Sequence, residues 1–191
     1  MKKTFVLIPI LLLFGSASFA VPVPAPGDNR ISTSANGQQR DPLTDTESDQ
    51  IRELADQPDK RIELFLKFIG ARFDTIDQMQ GDARLAAGRG QKTHDLLQDI
   101  TSLVDELDDN VDDYVDKKED VRKSLKKVIE ADTSYQLKLR TLKDRNQSSK
   151  EFGDYNFVLQ DATDAVNGSL DDAREALDEQ EKTMKEEKKK K

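Results

Sequence analysis

Between residues 46 and 187, apolar side chains recur every three or four residues, which places them along one face of an α-helix. No part of this stretch alternates apolar and polar residues as a half-buried β-strand does. The pattern therefore predicts an all-α domain. We expect an elongated antiparallel bundle of three to four helices, because each apolar face must be buried against another.

The first long helix is predicted to begin at Pro58, with Asp56 as its capping residue, because proline suits the first turn of a helix. A shorter helix is predicted at residues 46–55. Glycines predict a turn between Gln80 and Lys92. The apolar face of the first long helix is formed by Ile62, Phe65, Leu66, Ile69, Phe73, Ile76 and Met79.

The second long helix is predicted to begin near Thr93, and the third to end at Lys143. The apolar phase continues across their junction, so one helix over residues 93–144 is an alternative. We favour a break near residues 116–120, because it gives helices of comparable length that can cover one another. The fourth helix is predicted to open at residues 148–151, which have the spacing of a capping box.

Residues 1–20 show the three parts of a secretory signal peptide, namely Lys2 and Lys3, an apolar run over residues 5–14, and a small residue, Ala20, at the cleavage site. A membrane anchor is the alternative, but this run is far shorter than the roughly 20 residues that span a bilayer. We therefore expect cleavage after Ala20 and no transmembrane segment in the mature chain.

Four prolines and many small polar residues predict that residues 21–45 form a disordered linker, since they cannot bury enough apolar surface to offset the entropy of ordering. The helical domain then covers residues 46–187, and a basic tail covers residues 188–191. Lysines suit the negative end of a helix. Weak adhesion of the tail to anionic lipid or cell-wall polymer is the alternative.

Composition narrows the classes of function. The formal net charge is −8, with 38 acids against 30 Lys and Arg, which argues against nucleic-acid binding. The chain has no cysteine, so catalysis by a thiol is excluded. His94 is the only histidine, and we interpret it as a surface residue, with a metal ligand as the alternative. We expect no enzyme activity and no cofactor.

Charge is divided sharply along the chain. Residues 93–116 hold nine acids and no Lys or Arg, and residues 151–181 hold ten acids against a single arginine. Residues 117–145 instead hold ten Lys and Arg against five acids. We expect the third helix to lie as a basic rod between the two acidic ones and to neutralise both.

Seven acids and no base lie within residues 105–116. On a helix they all fall opposite Leu107 and Val111, which favours a solvated surface. An EF-hand-like calcium loop is the alternative, because six oxygen-bearing residues match its spacing. Asp113 stands where that loop needs glycine, so we expect an uninterrupted helix from Thr93 to at least Asp113 and no tight calcium site. The six candidate ligands are Asp108, Asn110, Asp112, Tyr114, Asp116 and Glu119.

At residues 58–62, 64–68, 94–97 and 105–110 the chain resembles exported α-helical proteins of bacteria to which no function is assigned. The resemblance covers about residues 57–180 and involves no motif with a known role. It implies an all-helical exported domain and says nothing about activity.

We therefore expect a non-catalytic helical-bundle protein, periplasmic or secreted, that binds an unidentified protein or a cell-envelope polymer. The alternative is a protein that binds divalent cations, calcium above all, through its acidic segment at residues 105–119.

Overall fold

The computed structural model of the protein describes residues 40–190, and these residues are all-helical. They form five packed α-helices and one short 3₁₀ turn, with no strand among them. The predicted signal peptide and residues 21–39 of the predicted linker lie outside the described residues. The helices are α1 (Asp45–Glu53), α2 (Pro58–Gly81), α3 (Arg89–Asp116), α4 (Arg122–Asn146) and α5 (Phe152–Lys190), and the 3₁₀ turn is Ala83–Leu85.

The all-α class and the break between the second and third long helices are confirmed. α3 ends at Asp116, and the chain reverses through Lys118, which adopts a left-handed backbone with φ of 61°. The Glu119 amide donates to the Tyr114 carbonyl at 3.0 Å, and the Lys118 amide donates to the Val115 carbonyl at 2.9 Å. These two hydrogen bonds form a Schellman motif, which closes the end of α3.

The predicted start of α2 at Pro58 is confirmed, whereas its predicted cap and the predicted starts of α3 and α5 differ from the structure. α2 begins at Pro58, but its N-cap is Gln57 in place of Asp56. α3 begins one turn earlier than predicted, after Gly88, which has φ of 70°; Thr93 therefore lies buried inside the helix. α5 begins at Phe152, after the predicted residues 148–151, and the Ser149 hydroxyl accepts from the Phe152 amide at 3.2 Å.

The packing gives α5 a central place. α5 packs along α3 and along α4, whereas α2 packs on α3 and less extensively on α4. α3 and α4, although consecutive, hardly touch. α5 also continues through residues 188–190, which were predicted as a separate tail. No helix within residues 40–190 is long and apolar enough to cross a membrane.

Two tight contacts hold the starts of α3 and α5 together. Arg89 donates through Nε to Glu151 Oε2 at 2.8 Å. At Gly90 a Cβ atom would lie 2.3 Å from Asp154 Oδ2 and 3.1 Å from its Cβ, so only glycine allows this approach without a shift of the Asp154 side chain. Gly90 therefore allows the first turns of α3 and α5 to approach each other closely.

Residues 40–45 differ from their prediction as part of the linker, because they contact the helices. Arg40 pairs with Asp99 of α3 at 2.6 Å. Arg72 of α2 donates to the carbonyl oxygen of Pro42 at 2.8 Å and to Glu47 Oε2 at 2.6 Å. The Arg72 guanidinium lowers the pKa of Glu47 to about 2. These contacts tie α1 and the preceding residues to the domain.

The expected charge arrangement is wrong in one respect, because basic α4 lies beside α2 and α5 and not between α3 and α5. Its lysines bridge to α2 through Lys127 to Glu63 and through Lys138 to Asp77 at 2.5 Å. A weaker bridge reaches α5. Burial of the apolar faces determines which helices are neighbours. The acids of α3 therefore do not have the basic helix α4 beside them.

We predict that Lys138→Glu destabilises the protein by about 1 kcal/mol, because it places a third acid beside Asp74 and Asp77 of α2. The matched control is Arg140→Glu. The partner of Arg140 lies on its own helix at 3.8 Å, and its side chain is 80% exposed. Urea unfolding at low salt should separate the two variants, and high salt should bring them together. Equal effects at low salt would contradict the bridging role of Lys138.

Candidate functional site

A row of carboxylates runs along the contact between α3 and α5, and we call it the acidic seam. Its members repel one another. Burial raises the pKa values of Asp108 and Asp112, and the charge of Asp172 of α5 raises both further. The charges of Asp105 and Asp112 also raise the pKa of Asp108, and the charge of Asp116 also raises the pKa of Asp112. Burial together with the charge of Asp109 raises the pKa of Asp105. The members of the acidic seam are Asp105, Asp108, Asp112, Asp116 and Asp172.

The six candidate calcium ligands do not form a loop. The uninterrupted helix predicted from Thr93 to Asp113 is confirmed, since α3 continues to Asp116. Asn110 donates its amide to the Glu106 carbonyl at 2.6 Å, and Tyr114 is buried in the core.

The remaining candidate ligands are dispersed as well. The Glu119 carbonyl accepts from Gln180 of α5 at 2.8 Å. Asp112 and Asp116 lie exposed along the acidic seam, whereas Asp108 turns toward α5. Within residues 40–190, no three His, Asp or Glu side chains come together in a group that could hold a metal ion.

Asp108 departs from its expected position on the solvated face. Ser169 of α5 donates its hydroxyl to Asp108 Oδ1 at 2.6 Å. This hydroxyl is nearly inaccessible, since Ser169 is 1% exposed. The acid that helical periodicity assigned to solvent therefore joins α3 to α5 beneath the acidic seam.

Asp132 of α4 lies under the same contact and is fully buried, with an exposed fraction of 0%. Neither of its carboxyl oxygens has a hydrogen-bond partner of acceptable geometry within the described residues. Burial raises the pKa of Asp132 and the Asp108 charge raises it further, whereas the Ser169 hydroxyl lowers it and offsets part of the rise. Asp108, Asp132 and Ser169 thus form a polar cluster where α3, α4 and α5 meet, and we call it the buried acid cluster.

Packing around Tyr135, one turn further along α4, fixes the position of Asp132. The Tyr135 hydroxyl donates to the Leu66 carbonyl of α2 at 2.8 Å. Its ring stacks on Phe73 with 4.8 Å between the ring centroids. Because the side chains of Asp132 and Tyr135 lie on one face of α4, this anchor holds the carboxyl in the core.

A proton resolves the electrostatics of the buried acid cluster. Burial is the main cause that raises the pKa values of Asp108 and Asp132 to about 7 each. Ser169 has one hydroxyl proton and donates it to Asp108. A protonated Asp132 would have a donor to offer the remaining lone pairs of Ser169, whereas an ionised Asp132 would be a buried charge without a partner. The pair therefore titrates as a unit near neutral pH.

The sequence analysis missed Asp132, although a signal was present. The apolar face of α4 continues through Val128, Tyr135 and Leu139 with a gap at position 132, and the residue that fills this inward position is an acid. An acid at a core position of a helix is rare unless it is paired or protonated. His94, by comparison, lies partly exposed at 3.2 Å from Asp95.

Comparisons of the chain with protein-family models, with curated proteins and with solved structures found no match. The acidic seam and the buried acid cluster are accordingly the features on which a proposal about function must rest.

We predict that the protein becomes less stable as pH rises from about 5 to about 8. The folded cluster keeps a proton that the unfolded aspartates have already released, since their unfolded pKa is 3.8 and their folded pKa is about 7. The free energy of unfolding should fall by about 2 kcal/mol over this interval for each proton that the cluster releases. Below this interval the lowered pKa of Glu47 acts in the opposite direction.

Asp132→Asn tests the assignment, because the amide is neutral at every pH. It should flatten the pH dependence between about pH 5 and about pH 8, and it should raise stability at the upper end relative to the natural chain. Asp116→Asn, an exposed acid of the acidic seam, should leave the slope unchanged. An unchanged slope in Asp132→Asn would contradict a proton held at this residue.

Proposed function

We propose that the chain is a non-catalytic, exported binding protein, periplasmic or secreted, whose acidic seam binds a cationic surface of a protein partner. The observation that carries this proposal is the side-by-side packing of two acidic helices, with basic α4 hardly touching α3. Signal-peptide cleavage after Ala20 would deliver the mature chain to the compartment of that partner.

The charge arrangement within the domain supports a cationic partner. The like-charge pairs that Asp172 forms with Asp108 and Asp112 oppose the α3–α5 contact. Burial and neighbouring carboxylates raise the pKa values of Asp105 and Asp112. Neither residue forms an ion pair within residues 40–190. A Lys- or Arg-bearing surface would relieve this repulsion and be drawn to it at long range.

The same charges argue against an anionic polymer as the ligand of this face. Cell-wall polymers and membrane surfaces that carry negative charge would be repelled by the four exposed carboxylates of the acidic seam. A nucleic acid would be repelled in the same way. A protein partner is therefore the occupant that the acidic seam favours.

We also infer an antiparallel arrangement of consecutive helices within the bundle. Contacts between α2 and α4 pair Asp59 with Ser124 and Asp77 with Lys138. Residue numbers therefore increase in the same direction along both helices. Between α4 and α5, Lys126 pairs with Glu181, whereas Gln136 pairs with Asn167. Residue numbers therefore increase along α4 in the direction in which they decrease along α5. These pairs support a reversal of direction from each long helix to the next. With such reversals, α3 and α5 would lie side by side and run in the same direction.

Binding of a fluorescent ten-lysine peptide tests the proposed surface. The seam variant carries Asp105→Asn, Asp112→Asn and Asp116→Asn, and the control variant removes three charges elsewhere on α5. We expect the seam variant to weaken binding at least about tenfold and the control about twofold, because only the first removes charges from the acidic seam. The control substitutions are Asp171→Asn, Glu175→Gln and Asp178→Asn.

Fluorescence anisotropy at low and physiological salt measures both affinities. All six substituted residues are exposed in the structure, so both variants are expected to fold, and circular dichroism confirms this before titration. Equal loss of affinity in the two variants would mean that only net charge matters and would contradict a specific surface on α3 and α5.

A divalent cation is the second candidate ligand, and the unpartnered carboxyl of Asp132 is the observation that favours it. A cation could replace the shared proton and bridge the carboxyls of Asp108 and Asp132. This mode differs from the EF-hand-like mode, because it uses Asp132 and does not use Glu119.

We expect calcium to bind the natural chain no more tightly than about 1 mM, because neither mode has enough preformed oxygen ligands. Calorimetric titration checks this, with Asp108→Asn, Asp132→Asn and Glu119→Gln as variants. Micromolar one-to-one binding that Asp108→Asn and Glu119→Gln abolish would establish the loop. Micromolar binding that Asp108→Asn and Asp132→Asn abolish, but Glu119→Gln preserves, would establish the buried site.

A further inference from the structure

We propose that a groove between α4 and α5, on a different side of α5 from the acidic seam, binds an extended segment of an acidic glycan. Its walls carry four amides, on Gln136, Asn156, Gln160 and Asn167, and two cations, on Arg140 and Lys143. We call it the amide groove. This second site goes beyond the proposed protein-binding function.

The lining of the amide groove departs from the composition of the rest of the protein. The chain has 38 acids, yet none of the ten residues that line this groove is acidic. The space measures about 280 Å³, which is at the small end of ligand pockets and suits a segment of a polymer. The buried side chains of Leu139 and Leu159 form its floor.

Two stripes of side chains at helical spacing build the walls. On α5, amides stand at positions 156, 160 and 167, separated by about one turn or two. On α4, Gln136 precedes Arg140 and Lys143 by one and two turns, so this wall is about 10 Å long. Gln136 Nε2 donates to Asn167 Oδ1 at 2.7 Å, and this bond joins the walls at one end.

The cations of the amide groove remain available. Lys143 forms no ion pair within residues 40–190, and the nearest carboxylate oxygen to Arg140 belongs to Asp144, 3.8 Å away on the same helix. The Arg140 side chain is 80% exposed. Two nearly uncompensated cations on one wall suit a ligand that carries carboxylates.

The amides select among ligands that carry carboxylates. A side-chain amide both donates and accepts, which matches the hydroxyl groups of a sugar, each of which does the same. An acidic peptide is a poorer match, because two helices provide no strand edge for its backbone. A helical peptide would need a groove lined mainly by apolar side chains, whereas seven of the ten residues that line this one are polar or charged. A chain rich in hydroxyls and bearing carboxylates therefore fits this groove best.

Nuclear magnetic resonance titration of the full-length mature chain with an oligogalacturonate of about ten sugars tests the proposal. The groove variant is Asn156→Ala with Gln160→Ala, and the control variant is Gln78→Ala with Gln98→Ala. All four amides are exposed on helices, where alanine favours the helix, so both variants are expected to fold. We expect saturable shifts centred on α4 and α5, weakened at least about tenfold in the groove variant and unchanged in the control.

Two further probes separate the alternatives. A neutral dextran oligomer of similar length should bind more weakly, since it lacks carboxylates for Arg140 and Lys143. A ten-glutamate peptide should produce no saturable shifts in the groove. Equal binding of oligogalacturonate by the groove variant, or tighter binding of the glutamate peptide, would overturn the proposal; shifts confined to residues 185–190 would assign the interaction to the basic end of α5.

Discussion

The packing of α5 against α3 is the contact on which the rest of the domain depends, and it joins two helices of the same charge. The like-charge pairs one turn apart on α3 each cost about 0.2 to 0.5 kcal/mol, and Asp172 of α5 adds repulsion across the contact. Each buried aliphatic side chain of the core, such as Leu107 on α3 or Leu159 on α5, stabilises the packed helices by about 1.5 to 3 kcal/mol. Burial of apolar faces therefore outweighs the repulsion, and the acids are carried together as a consequence.

The packing of α5 against α3 distributes charge unevenly over the domain. Basic α4 neutralises acids of α2 and meets α5 on its other side, so the acidic seam stays uncompensated while the amide groove is free of acids. An arrangement that lowers stability and persists at a surface is the kind of feature that binding sites show. The domain thus presents one face suited to cations and another suited to a carboxylate-bearing ligand, separated by the width of one helix.

Periodicity in the sequence was enough to predict the helices, the break after Asp116 and most of the core, because apolar spacing reports directly on which face is buried. It could not predict which helices become neighbours. Charge favoured α4 between α3 and α5, whereas the apolar faces determined the actual order. Asp108 and Asp132 were missed for a related reason: whether an acid is solvated or buried depends on the neighbouring helix, and only the gap in the α4 stripe at Asp132 signalled it.

The central claim is that α3, α4 and α5 meet at a buried pair of carboxyls that holds a proton near neutral pH. Carbon-13 NMR titration of the aspartate carboxyl groups, with Asp108 and Asp132 assigned through their Asn variants, tests it most directly. The structure predicts coupled titration of both resonances with midpoints of about 7, altered together in Ser169→Ala. Independent midpoints near 3.8, the value of a solvated aspartate, would contradict the meeting of the three helices at this cluster.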